Sequence, residues 1–94
     1  MKAWLDEIDR ARSGVEVLAG ARDYCALLHP RELELLPAEC REIRLEAPGD
    51  IPRVRRRLSA GVDALDAPGD EVRALRDLLR FLSRAEERLG ELRD

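Results

Sequence analysis

The chain has no apolar run long enough to cross a bilayer. Charged residues make up 39% of it and interrupt it every few positions. Asp6 and Glu7 already break the first stretch, so no leader peptide is legible there and a cytoplasmic location is expected. Glycine and proline are few, six and five, and they cluster. That excludes a disordered or low-complexity chain. Aromatics are scarcer still, at 3%, so the core has to come from Leu, Ala and Val. Lysine occurs only at Lys2; every other basic residue is arginine. Arginine suits bidentate contacts, but codon usage is the plainer source of this bias. The two cysteines are expected to be reduced in the cytoplasm.

The usual catalytic signatures are missing as well. There is one histidine, His29. No glycine-rich phosphate loop, serine elbow or His-Glu-x-x-His pattern occurs. A di-metal bundle would carry Glu-x-x-His on facing helices, and there is none. A chain of 94 residues makes one domain, spanning 1–94. Such a body buries only roughly 60–65% of its unfolded surface. A deep cleft with its own supporting shell is hard to build in it. The expectation is a protein without catalytic activity, cofactor or small-molecule substrate.

What is present is helical periodicity. Trp4, Ile8, Ala11, Val15, Leu18 and Cys25 follow a 4-3-4-3 rhythm, widened by Leu5, Ala19 and Leu28. This predicts one long amphipathic helix over about 2–28. Gly14 and Gly20 weaken it or let another helix approach closely. His29-Pro30 ends it, with the histidine suited to capping its C-terminal end. Pro30 can also open a short helix over 31–36, closed by Pro37. One further turn fits 38–41. Ile43-Arg44-Leu45-Glu46 alternates, but a lone strand has no partner. It reads as extended chain with Ile43 and Leu45 inward.

The tetrapeptide Ala-Pro-Gly-Asp occurs at 47–50 and again at 67–70. Each copy precedes an apolar rhythm: Val54, Leu58, Val62 and Leu65 after the first, Val72, Leu75, Leu78, Leu82, Ala85 and Leu89 after the second. Pro-Gly supplies a bend and aspartate accepts N–H groups of a first helical turn. Asp50 and Asp70 are therefore expected to be helix caps, reached twice independently. A short connection between the two helices implies an antiparallel hairpin. The fold class is all-α. It is a small irregular bundle of one long N-terminal helix, a short bridging helix and a C-terminal helical hairpin.

Three groups are candidates for function. Cys25, His29 and Cys40 are acceptable zinc ligands, or a redox or nucleophile site, although their spacing matches no standard signature. Arg53, Arg55, Arg56 and Arg57 form a basic patch. It fits ion pairing within the fold, an acidic partner, or nucleic acid. The net charge of -3 argues against a general nucleic-acid binder. As a helix-turn-helix reader, the last helix would present Asp70 and Glu71 to phosphate. Leu75, Leu78, Phe81, Leu82 and Leu89 give the last helix more apolar surface than one packing face needs, which points to a partner site. The favoured function is a protein–protein interaction or structural module that self-associates through these leucine-rich faces.

Overall fold

The structure, a computed structural model, describes residues 2–65 and 69–92. Its helices are α1 (Lys2–Arg10), α2 (Gly14–Cys25), α3 (Pro30–Glu34), α4 (Asp50–Asp63) and α5 (Asp70–Leu92), with a single 3-10 turn at Ala38–Cys40. The described residues are all-α, as the periodicity implied.

The expected long N-terminal helix is in fact two. A new helix starts inside the rhythm, because Ser13 takes up extended backbone and its side chain accepts the Glu16 N–H at 3.3 Å. Glu16 in turn accepts the Arg12 N–H. These bonds satisfy donors that a helix start would otherwise leave free. The chain then folds back on itself. On one continuous helix Trp4 and Tyr24 would lie roughly 30 Å apart. Their ring centroids are 5.3 Å apart. Gly20 makes this close packing possible, since a Cβ there would stand 3.1 Å from Ile8 Cδ1.

Refolding also changes the buried face. Val17, Leu18 and Ala21 turn inward on α2, while Val15 and Ala19, expected in the core, face solvent. Past α2, His29 caps the start of α3 rather than the end of the preceding helix. Its Nδ1 accepts from Arg31 N, and Glu32 accepts from His29 N, both at 3.2 Å. Leu45 is buried and Ile43 half-buried in the extended connector.

α5 is the hub. Its 23 residues span roughly 35 Å of a molecule 39 Å long. α1, α2, α3 and α4 all pack against it. Arg55 near the start of α4 pairs with Glu86 late in α5, so these two helices run antiparallel. The connection through Ala67 and Pro68 of the second Ala-Pro-Gly-Asp lies outside the described residues.

Candidate functional site

The structure separates the expected metal ligands. Among the described residues no group of three or more His, Cys, Asp or Glu side chains could hold a metal ion. Cys25 ends α2, where burial pushes its thiol up to about 11. His29 commits its Nδ1 lone pair to Arg31 N. Cys40 is buried against α4, under Gly61, where a Cβ would stand 3.2 Å from its Sγ. Both thiols are free. Each member of the trio thus has a local task, and the three do not make one site.

The basic patch is partly neutralised. Arg53 pairs with Asp50, and Arg55 with Glu86. Arg56 and Arg57 stay exposed, without a carboxylate partner among the described residues. A shallow cavity of about 100 Å³ between Arg44, Arg53 and Arg57 also admits Glu42, so it does not present one sign of charge.

The expected caps behave differently from the reading of their sequence. Asp50 is the first residue of α4, and Gly49 before it is the N-cap. The Asp50 carboxylate accepts the backbone N–H groups of Glu46 (2.9 Å) and Ala47 (3.0 Å). It ties down the turn before the helix, not the helix itself. Those bonds hold its carboxyl below the usual carboxylate range, with Arg53 adding to the effect. At α5, Arg73 N donates to Gly69 O at 3.1 Å, which puts Asp70 one step inside the helix. No hydrogen bond to its carboxylate is present among the described residues.

The apolar face of α5 is not a free surface. Leu75, Leu78, Phe81 and Leu82 are at most 1% exposed and Leu89 is 7% exposed. α5 carries apolar residues on two sides because α4 covers one and the α1–α2 hairpin another. Self-association through these leucines would require the fold to open.

What the surface does offer lies on that hairpin. A half-open groove of about 300 Å³ runs between α1 and α2. Trp4 and Ile8 line it from α1, Ala11 from just past its end, Ala19 and Gly20 from α2, and Phe81 from beneath. Glu7, Arg10, Glu16 and Asp23 stand at its rim. Two of its lining residues, Trp4 and Phe81, belong to a cluster with Tyr24 that holds all three aromatic rings of the chain. Tyr24 and Phe81 stack at 4.5 Å, and Trp4 meets Phe81 edge-on at 6.2 Å. Val15 in the first turn of α2 and Leu27, two residues past its end, are 72% and 66% exposed. The sequence rhythm missed this surface because a continuous helix has no groove along itself. The Ser13-Gly14-Val15-Glu16 stretch, serine followed three residues on by glutamate, was the signal that could have shown the break.

Compared with protein-family models, with curated proteins and with solved structures, the chain matches none.

Proposed function

We propose that the protein is a non-catalytic interaction module whose docking surface is the α1–α2 groove with the outer face of α2. The groove itself carries this reading. It has an apolar floor reaching the aromatic cluster and a polar rim, the plan of a protein contact site. Exposed Val15 on α2 and Leu27 just beyond its end add apolar surface near the groove. The unpaired thiols fit a reducing compartment, which favours the cytoplasm. Nucleic-acid binding has less support, since only Arg56 and Arg57 of the patch remain without a paired carboxylate among the described residues.

A photo-activatable phenylalanine at Ala19, in the full chain in its own cells, tests the reading. Adducts to protein are expected from Ala19 and not from the same probe at exposed Arg76 on α5. A folded chain that yields no adduct at Ala19 ends it.

A further inference from the structure

The rim of the α1–α2 groove carries an excess of one sign of charge. Three carboxylates, Glu7, Glu16 and Asp23, stand there against one guanidinium, Arg10, and all four side chains are exposed. Asp9, on the same α1, is answered across the fold by Arg84 of α5. The three rim carboxylates enter no ion pair among the described residues. Glu16 accepts the Arg12 backbone N–H, a neutral donor that leaves its charge in place. Glu16 and Asp23 are two turns apart on α2, roughly 10 Å, and Ala19 and Gly20 of the apolar lining lie between them.

We infer that the occupant of the groove is a cationic segment of another protein, with an apolar side chain on the floor and a Lys or Arg to either side of it. The inference rests on the reading of the groove as a docking surface. Size favours an anchor carried on a chain. The groove holds about 300 Å³ and is half-open, whereas small-molecule clefts of roughly 300–1,000 Å³ enclose most of their ligand. Charge selects the chain. Glu16 and Asp23 bracket the apolar floor from α2 and Glu7 stands on α1, so cations beside the anchor meet carboxylates that nothing in the fold neutralises. An acidic segment, a nucleic-acid backbone or an anionic lipid surface meets repulsion there. A second copy docked groove to groove about a two-fold axis brings two acidic rims together. The rim charges are exposed, so the attraction is modest and is screened by salt.

The test maps the adduct of the Ala19 probe, formed in the full chain in its own cells, to a segment of the partner by mass spectrometry. That segment, made as a synthetic peptide, is then titrated calorimetrically against the purified chain. A segment of net positive charge is expected, with an apolar residue between Lys or Arg. Glu7→Gln and Asp23→Asn together should weaken the peptide by roughly fivefold. Circular dichroism and thermal midpoint should stay unchanged, because neither side chain hydrogen-bonds or ion-pairs among the described residues. Raised salt should bring the parent toward the double variant. Arg10→Gln, which removes the one rim cation, should tighten binding instead. A purely apolar contact would respond to none of these changes. A neutral or acidic segment, an adduct to a second copy of the chain, or an affinity unmoved by the double variant and by Arg10→Gln overturns the inference and leaves the docking surface standing. A folded chain with no adduct at Ala19 removes the docking surface and the inference together.

Discussion

At the scale of single residues, several charged groups act on backbone. Asp50 receives two N–H groups from the turn before it. Arg88 donates to Ala11 O, at 2.8 Å from Nη2, where α1 has just ended. Arg41 donates to Leu36 O at 2.8 Å and Glu34 O at 3.2 Å, at the end of α3. A planar guanidinium can serve neighbouring acceptors in this way, so several arginines are fasteners of the fold. Asp50→Asn should therefore be less stable than the parent at neutral pH. The native pKa of Asp50 lies below its unfolded value, so its contribution is present above roughly pH 4. It is lost as pH falls through the lower native value. Urea unfolding at a series of pH values should show the gap between parent and variant closing in acid. A gap that persists there would mean that the carboxylate charge is not what matters. Cys25 gives a second prediction. With its thiol held up at about 11 by burial, native alkylation by iodoacetamide should be slow at pH 8 and become fast only on unfolding. Rapid native labelling of Cys25, located by peptide mapping, would contradict the burial.

At the scale of elements, the fold class was legible and one break was not. Leucine and valine spacing gave α4 and α5, proline gave α3, and the alternation at Ile43 and Leu45 gave an inward-facing connector. The rhythm from Trp4 to Leu18 concealed a reversal of direction, because α1 and α2 both bury a stripe against α5. Periodicity reports that a face is buried, not whether the helix bearing it has turned back. The reversal rests on local chemistry at Ser13 and Glu16, and it alone creates the groove. The candidate site was consequently beyond reach of the pattern, although Trp4, Val15 and Ala19 were all in view. Ser13→Ala should cost about 0.5–2 kcal/mol, read from urea unfolding. Gly61 matters in the same way between elements. A Cβ there would stand 3.0 Å from Leu36 Cδ2 and 3.3 Å from Cys40 Cβ. Gly61→Val should thus push the segment around Leu36 and Cys40 off α4 and lower the thermal midpoint, even though valine lies well above glycine in helix propensity.

At the scale of the whole molecule, α5 packs against α4 on one side and against the α1–α2 hairpin on another. Phe81 is fully buried and touches both other aromatics, Tyr24 from α2 and Trp4 from α1. It joins the folded-back hairpin to the hub, beside the Arg84–Asp9 pair and the Arg88 bond to Ala11 O. Phe81→Ala should cost about 3–5 kcal/mol, a large share of the roughly 5–15 kcal/mol that holds a small domain together. Loss of the ring should loosen α1 and α2 before α4 and α5. The latter keep Leu58, Val62, Leu75 and Leu78, all at most 3% exposed, and the Arg55–Glu86 pair. Trp4 is the only tryptophan, so its emission reports on the hairpin alone. In Phe81→Ala a red shift should appear at lower urea than the loss of helical circular dichroism. In the parent the two transitions should coincide, as in a single cooperative unit. Coincident transitions in the variant as well would show that hairpin and hub fold together, with Phe81 only one buried ring among other core residues.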